Sequence, residues 1–174
     1  MDLKESTNQR LKVNSNTVCL IRKCTPGDID EIVEMCREHA EFEKCSYSVK
    51  GKSEMLKHFL FAEEPVLHCL VAAAGSRLAG YAAYTYDFST WNAAYYLHLD
   101  CLYLREYARG SGTGLALMRE VAKEGLLNGI KEIQWQTPEF NTAAIEFYKK
   151  LGAVTKDKVR CMLFEKEIIK LLNI

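Results

Sequence analysis

The feature that most constrains the fold is a glycine-rich string at residues 109–114, which separates two segments of different hydrophobic period. Before it, residues 66–106 contain three strand-like runs joined by short turns, which predicts an antiparallel meander. After it, apolar residues at helical spacing over 115–126 predict a helix, and residues 131–137 read as a short buried strand. A strand, a helix and a second strand in this order form a β-α-β unit with a parallel pairing.

The remaining segments predict a mixed sheet. Residues 17–23 read as a strand that two helices follow, residues 141–150 as a helix, and residues near 153–165 as a hairpin. We therefore predict a mixed α/β (α+β) fold with a mostly antiparallel seven-stranded sheet and about four flanking helices. It would form a single domain over residues 17–174, preceded by a flexible N-terminal tail at residues 1–16.

Charge and composition argue against several classes of protein. Lys plus Arg and Asp plus Glu each number 23, so the chain lacks the basic surplus that non-specific nucleic-acid binding needs. No apolar run reaches 18 residues, which predicts no membrane span, and the polar first sixteen residues do not resemble a signal peptide. The seven cysteines are scattered, as expected for reduced thiols, so we predict a cytoplasmic protein. The four histidines form no close ligand pair, and we predict no metal.

The glycine string suits a phosphate group. Glycines let the backbone approach a ligand, and the N-terminus of the following helix adds partial positive charge. Arg109 can add a bidentate contact. A Walker loop would need Gly-Lys-Ser/Thr at its end, where this chain has Gly112, Thr113, Gly114 and Leu115, and the dinucleotide fingerprint needs a different glycine spacing. A flexible glycine-rich loop is the alternative interpretation.

Two motifs together indicate a known family. The string has the form Arg-x-x-Gly-x-Gly through Arg109, Gly112 and Gly114, and residues 141–153 have the form Asn-x-x-Ala-x-x-Phe-Tyr-x-x-x-Gly-Ala. In this order, with a helix and a strand between them, they resemble the signature motifs of the GNAT family of N-acetyltransferases. The resemblance extends over residues 17–166, which is nearly the whole chain.

The resemblance implies a sheet whose central parallel strands splay apart, with acetyl-CoA in the opening. The pyrophosphate would lie on the glycine string, and the pantetheine would pair with the strand before it. A backbone N–H at a bulge in that strand would hold the thioester oxygen. The cofactor-binding residues that the family implies are Leu102, Tyr103, Leu104, Arg109, Gly110, Ser111, Gly112, Thr113, Gly114, Leu115, Asn141, Ala144 and Tyr148.

Tyr148 is the general acid that the resemblance implies. In the family, the tyrosine of the second motif protonates the leaving thiolate, and a phenol suits a thiolate of similar basicity. Helical spacing places Tyr148 on one face with Asn141 and Ile145, which also suits a tyrosine that only packs. Asn141 is either the N-cap of its helix or a pantetheine contact, and the two roles are compatible.

Asp100 is the residue that we expect to receive the amine proton, through a water, or to hold the cationic amine. A carboxylate within so apolar a strand needs a reason, and a buried arginine or backbone N–H is the alternative partner. Strict alternation would place Asp100 on one face with His98 and Leu102, and Cys101 on the opposite face. His98 is the alternative base.

Within the family, the chain resembles the diamine acetyltransferases, which act on spermidine, spermine or thialysine. Residues 40–44, 64–65, 68–72 and 97–100 carry this resemblance. It makes Glu43 and Asp100 substrate-binding carboxylates for a small cationic amine and implies a homodimer. Cys101 stands where that group has a second acidic residue, so the pocket is less negative and the acceptor stays open. A protein lysine or N-terminus, an aminoglycoside-like drug, and a non-catalytic acyl-CoA-binding module are the alternatives.

Overall fold

The computed structural model describes residues 9–14 and 17–172, with side chains from Cys19 onward. The chain divides into two compact units, residues 1–136 and 137–174. That residues 17–174 fold as a single domain stays a prediction. Among the described residues, no helix is both long enough and apolar enough to cross a membrane.

The described residues of the first unit form a mixed six-stranded sheet in which the strands follow one another in chain order. Neighbouring strands are antiparallel except for the last pair, which is parallel, as the β-α-β pattern predicted. The strands are β1 Gln9–Asn14, β2 Thr17–Lys23, β3 His68–Ala74, β4 Arg77–Ser89, β5 Ala94–Leu104 and β6 Ile133–Gln134.

Helices lie in both units. The first unit contains α1 Ile29–Phe42, α2 Lys52–Leu60 and α3 Thr113–Leu127, and the second contains α4 Thr142–Lys150 and α5 Glu165–Leu172. Short 3₁₀ turns at Pro26–Asp28 and Glu106–Ala108 precede α1 and α3. The helix α3 joins β5 to β6 and completes the predicted crossover.

The predicted tail is wrong over Gln9–Asn14, which forms β1 and pairs with β2. Leu11 lies opposite Cys19 in this ladder. Residues 10–13 alternate polar and apolar, which is the period of a strand, and the edge of β2 supplies the partner that an isolated polar segment lacks. Residues 1–8 and 15–16 lie outside the described residues.

The predicted count of seven strands is not confirmed, because the described residues form six strands and the expected hairpin near 153–165 does not form among them. Residues 153–164 have no regular secondary structure, and residues 154–164 are exposed. A strand is stabilised by a partner edge and by burial of one face, so β-propensity alone does not produce one. The six observed strands include β1, which the sequence reading had not counted.

Helices cover both faces of the sheet. The helix α1 packs on one face, in a core that includes Ile29, Met35 and Val71. The helix α3 packs on the other face, where a Cβ on Gly125 would lie 3.6 Å from Leu97 Cδ1, an ordinary van der Waals contact. The sheet therefore fixes α1 and the start of α3 relative to β5, which is the strand that the site uses.

The start of α1 is fixed by a buried carboxylate. The Asp28 side chain accepts hydrogen bonds from the backbone N–H and the hydroxyl of Thr25, at 2.7 and 2.8 Å. Arg22 of β2 pairs with both oxygens of Asp28, at 2.7 and 2.8 Å. These contacts, led by Arg22, lower the pKa of Asp28 from 3.8 to about 2. The helix is thus tied to the sheet at its first turn.

Candidate active site

A bulge interrupts β5 at Asp100. Ala83 of β4 lies opposite Cys101, and the next residue, Tyr84, lies opposite Leu99, so Asp100 has no cross-strand partner in this ladder. An extra residue inverts the alternation of side chains beyond it. Cys101 therefore faces α1, in the core with Tyr81, and it lines the same cleft as Asp100. The prediction that Asp100 and Cys101 face opposite sides is wrong for this reason.

The pairing of β5 with β6 is short. It involves Leu97 opposite Ile133 and His98 opposite Gln134, and within the described residues it goes no further. Beyond His98, towards Leu104, β5 therefore pairs with β4 along one edge, and its other edge is open. Main-chain groups on such an edge are available to pair with an amide-containing ligand, as an added strand would.

Alternation of the backbone decides which residues face that open edge. The N–H of Arg105 donates to Ala79 of β4 at 2.9 Å, and the Tyr103 carbonyl points at Gly80, also of β4. Leu102 and Leu104 therefore direct their main-chain groups to the open edge. Tyr103 is one of the three residues expected to pair with pantetheine, but its carbonyl group points at β4 and not at the open edge.

The glycine string forms a tight turn before α3. Gly110 and Gly112 have φ of 71° and 87°, in the left-handed region that favours glycine. Ser111 Oγ donates to the Ala108 carbonyl at 2.7 Å and lies 2.8 Å from Thr113 Oγ1, which fixes the turn. The N–H groups of the first turn of α3, which begins at Thr113, have no acceptor within the helix. Such a turn presents several N–H groups to an anion.

Arg109 binds the protein at one edge of its guanidinium group. Its Nε donates to the Leu104 carbonyl at 3.0 Å, and its Cζ lies 5.4 Å from the centroid of Phe42 and 5.9 Å from that of Tyr103. The hydrogen bond uses an acceptor on the open edge of β5. The remaining guanidinium N–H groups carry the charge that we expected to contact phosphate.

A cleft of about 300 Å³ lies between α1, the loop after it, and strands β4 and β5. It brings together Glu43 and Asp100, the two carboxylates proposed as substrate ligands. The other lining residues were missed, although the helical spacing of positions 36, 39, 40 and 43 on α1 and its end would have revealed them. The lining consists of Cys36, His39, Ala40, Glu43, Cys45, Ser46, Tyr47, Tyr81, Asp100 and Cys101.

Thiol and phenol groups form the inner wall of this cleft. The Tyr81 hydroxyl lies 3.1 Å from Cys36 Sγ and accepts a hydrogen bond from Cys101 Sγ at 2.9 Å. Burial raises the pKa of Cys36, Tyr81 and Cys101, and it raises that of Tyr47 to about 12. These groups are therefore neutral at physiological pH, and the carboxylates determine the charge of the cleft.

Arg105 joins α1 to the end of β5. Its guanidinium donates to both Glu31 and Glu38 of α1 and, at 2.9 Å, to the carbonyl of Leu78 in β4. Desolvation opposes its charge, but the hydrogen bonds to Glu38 and Glu31 outweigh this effect and raise the pKa of Arg105. The ion pairs hold the helix that supplies one wall of the cleft against the strand that supplies the other.

The sequence matches a known family over this whole arrangement. Residues 31–153 match the model of the acetyltransferase (GNAT) family. The chain belongs to the GNAT family of acetyltransferases. It is therefore an acetyl-transferring enzyme, as the two motifs predicted, and the bulge in β5 is a GNAT feature that the resemblance implied.

Several curated GNAT relatives share most of the chain. The thialysine N-epsilon-acetyltransferase of Sus scrofa is 36% identical over 142 residues, which cover 77% of this chain and 83% of that protein. The enzyme of the same name from Bos taurus is 32% identical over 162 residues, covering 87% of this chain and 95% of that protein. These relatives support the prediction that the chain lies near the diamine acetyltransferase group of the GNAT family.

Solved structures share the GNAT fold at lower identity. An integron cassette protein from the mobile metagenome of V. cholerae has a TM-score of 0.71 and 23% identity, covering 87% of this chain and 96% of that chain. A transcriptional regulator from Bacillus halodurans C-125 has a TM-score of 0.72 and 21% identity, covering 84% and 99%. At these identities the likeness concerns the fold alone.

Three observations concern His98, the metal ligands and the cysteines. His98, the alternative base, lies opposite Thr85 and Gln134 and is absent from the lining of the cleft within the described chain. Among the described residues, no group of three or more His, Cys, Asp or Glu side chains is arranged to hold a metal ion. All seven cysteines are free thiols, of which Cys45 and Cys161 are exposed.

The second unit contains the other family motif. Asn141 caps α4, since its side-chain oxygen accepts a hydrogen bond from the Ala144 N–H at 3.3 Å, which confirms the N-cap interpretation. Tyr148 is the buried residue of α4, and its ring centroid lies 5.3 Å from that of Phe147. The catalytic role of Tyr148 stays a prediction.

Proposed function

We propose that this enzyme transfers the acetyl group of acetyl-CoA to the primary amine of a small cationic molecule, such as a polyamine, a diamine or a thialysine-like amino acid. One observation carries the proposal. The bulge at Asp100 puts a carboxylate into the same cleft as Glu43, directly before the open edge of β5. Two carboxylates in one cleft suit an ammonium group. The names of the curated relatives agree with an amine acceptor of this class.

The residues present fit acetyl-CoA, which would supply the activated acetyl thioester. The turn at Gly110 and Gly112, with the N–H groups of residues 114 and 115 and that of Thr113, which donates to Ser111 Oγ at 3.4 Å, suits its pyrophosphate. The open-edge groups of Leu102 and Leu104 suit the amides of its pantetheine arm. Arg109, Ser111, Asn141 and Ala144 belong to the same proposed set. No metal enters the proposal.

The proposed reaction is direct transfer in a ternary complex. Asp100 and Glu43 hold the ammonium form of the acceptor, and the neutral amine attacks once its proton has left. A backbone N–H at the bulge stabilises the negative charge on the carbonyl oxygen. Tyr148 donates its phenolic proton to the leaving thiolate, a proton transfer between groups of similar basicity.

We also propose that the enzyme is a cytoplasmic homodimer. The C-terminal segment offers apolar side chains for an interface, since Met162, Leu163, Phe164 and Leu172 are all more than half exposed. Sedimentation equilibrium of the wild-type protein tests the oligomeric state. A single species with the mass of one chain, at micromolar concentration, would contradict the dimer.

Mass-spectrometric detection of acetylated products from acetyl-CoA and a panel of amines tests the reaction. The panel contains spermidine, thialysine, lysine, an aminoglycoside and a peptide, and detection by mass avoids interference from the seven cysteines. We expect rapid turnover of one small cationic amine, with kcat reduced on the order of a hundredfold or more in Tyr148→Phe. Tyr95→Phe, at a tyrosine that is 62% exposed and outside the cleft, is the matched control.

The panel also distinguishes the alternatives. Turnover of the peptide alone would indicate that the acceptor is a protein and not a small amine. Turnover of the aminoglycoside alone would indicate that the acceptor is a drug of that class. Binding of acetyl-CoA without turnover of any acceptor would contradict the proposed reaction and favour a non-catalytic acyl-CoA-binding role.

A further inference from the structure

Two cysteines lie opposite each other where β2 ends. The N–H of Cys24 donates to the carbonyl of Cys69 in β3 at 3.0 Å, which continues the antiparallel pairing by one step beyond Lys23 and Leu70. Side chains of residues that lie opposite each other in such a ladder project from the same face of the sheet. The thiols of Cys24 and Cys69 are therefore neighbours in space.

Both thiols lie on the face of the sheet that α1 covers. Cys69 belongs to the core on that face together with Val71, and Cys24 packs against this core. Arg22 precedes Cys24 by two residues, so it shares the same face, and it reaches Asp28 at the start of α1. Cys69 is buried and Cys24 is partly exposed. A reagent in solution therefore meets Cys24 first.

The backbone spacing of this pair suits a disulfide. Residues opposite each other in a hydrogen-bonded antiparallel pair have Cα atoms about 5.5 Å apart, and disulfides join Cα atoms that lie roughly 4.4–6.8 Å apart. Cys24 also follows Lys23, the last residue of β2, so small adjustments of its backbone leave that strand intact. The two sulfur atoms can therefore bond without rearrangement of the sheet.

Cys24 is the more reactive thiol of the pair. The Cys69 thiol donates to the Leu70 carbonyl at 3.6 Å, which is a long contact. A Cys24 thiolate is the stronger acceptor for that proton, because charge-assisted hydrogen bonds are the stronger ones. This interaction lowers the pKa of Cys24, and the same interaction together with burial raises the pKa of Cys69. Burial also raises the pKa of Cys36 and Cys101, which pack against the same core.

We propose that Cys24 and Cys69 form a reversible disulfide when the protein meets a peroxide, with Cys24 as the thiol that reacts first. The Cys24 thiolate attacks one oxygen of hydrogen peroxide, the O–O bond breaks, and a sulfenic acid forms as hydroxide leaves. The Cys69 sulfur then attacks the Cys24 sulfur, the S–S bond forms, and the S–O bond breaks. The hydroxyl group leaves as water with the proton of Cys69. Two thiols and one peroxide thus give one disulfide and two waters, and an added thiol reverses the reaction.

The disulfide would connect the start of α1 to the sheet. It closes residues 24–69 into a loop that contains α1 and α2. The helix α1 and the segment after it supply one wall of the cleft, including Glu43 and Tyr47. Oxidation would therefore restrain the elements that carry this wall. The inference does not depend on the identity of the acceptor.

Peptide mapping by mass spectrometry tests the disulfide in the native wild-type protein, treated with hydrogen peroxide and then alkylated. We expect a peptide that links Cys24 to Cys69, with the loss of two alkylatable thiols and their recovery in dithiothreitol. In Cys69→Ser, dimedone, which labels sulfenic acids, should label Cys24. In Cys24→Ser, Cys69 should stay alkylatable. Cys45→Ser, at an exposed cysteine of the cleft, is the matched control and keeps the link.

Two results would overturn this inference. In the first, Cys24 and Cys69 both remain alkylatable in the peroxide-treated wild type, whether or not another cysteine is oxidised. In the second, the link forms only in protein that has been unfolded in urea before oxidation. Neither result bears on amine acetylation, which is measured with the reduced enzyme.

Discussion

Replacing Arg105 by methionine should loosen α1 from the sheet. The side chain is 8% exposed and donates to Glu31 and Glu38 of α1 and to the carbonyl of Leu78. Methionine has similar length and fills much of the same space, so the change removes the hydrogen bonds and the charge more than it removes packing. Each acceptor keeps a second contact: Glu38 accepts from the Tyr103 hydroxyl at 3.1 Å, Glu31 lies 3.7 Å from Arg77 Nε, and the Leu78 carbonyl accepts from the Tyr107 hydroxyl at 3.3 Å.

The structure gives the size of the effect. Breaking a fully buried ion pair costs about 3–5 kcal/mol, and a hydrogen bond to a charged group contributes about 1.5–3 kcal/mol net. Glu31 and Glu38 are 26% and 25% exposed, so water partly replaces the lost donor. We therefore expect the free energy of unfolding to fall by roughly 2–4 kcal/mol, which lowers Tm by roughly 5–12 °C in a chain of this size.

Thermal and urea unfolding, followed by circular dichroism, measure this loss. Arg37→Met on the same helix is the matched control, because Arg37 pairs with Glu34 and Glu41 at the exposed surface and such pairs contribute little. We expect Arg37→Met to unfold like the wild type. Equal stability of Arg105→Met and Arg37→Met would refute the reasoning that Arg105 fixes α1.

Two further substitutions test the sheet and the start of α1. Gly80→Ala places a Cβ 2.5 Å from the Tyr103 carbonyl oxygen. We therefore expect the free energy of unfolding in urea to fall by about 1–3 kcal/mol and the KM for acetyl-CoA to rise. Gly27→Ala, where no atom lies nearer to the new Cβ than 3.8 Å, is the control and should match the wild type. The pKa of Asp28 is lower in the folded state, mainly through Arg22, so its stabilisation is present above about pH 4 and is lost as the pH falls towards 2. Asp28→Asn should therefore lower the free energy of unfolding by roughly 1–2 kcal/mol at neutral pH, and its stability should approach that of the wild type near pH 2. A difference in stability that stays constant between neutral pH and pH 2 would contradict the stabilising role of the Asp28 carboxylate.

Local signals made the β-α-β unit predictable. The change of period around residues 109–114 needs only a few neighbouring residues, and the structure has a strand, a left-handed glycine turn and a helix there. The N-cap role of Asn141 is equally local, because the cap bonds a residue three positions away. Such features depend on the chain within one or two turns.

Features that depend on distant partners were missed. The resemblance implied a bulge in β5 but not its position. The alternation that placed Asp100 and Cys101 on opposite faces assumes an unbroken ladder, and the position of the bulge arises from the pairing of β5 with β4. Strand β1 needed the edge of β2, and the expected hairpin near 153–165 lacked a comparable edge in the described chain. The sequence carries the propensity of these segments but not the location of their partners.

The cleft was predicted in part. The resemblance implied that Glu43 and Asp100 bind the substrate, and in the structure both residues line the cleft. His39 was not proposed, although it precedes Glu43 by one helical turn and so shares its face of α1. Its contact with Cys101 joins residues 62 positions apart, and no spacing rule reveals such a pair.

The amine site is tested most directly by kcat/KM for a small cationic amine in wild type and in Asp100→Asn. Asp87→Asn is the matched control, because Asp87 on β4 accepts a hydrogen bond from Thr85 at 2.8 Å and is not among the residues that line the cleft. Loss of a charge-assisted contact should lower kcat/KM by roughly ten- to a hundredfold in Asp100→Asn, with KM for acetyl-CoA unchanged. Equal kcat/KM in Asp100→Asn and Asp87→Asn would contradict the assignment of this cleft to the amine.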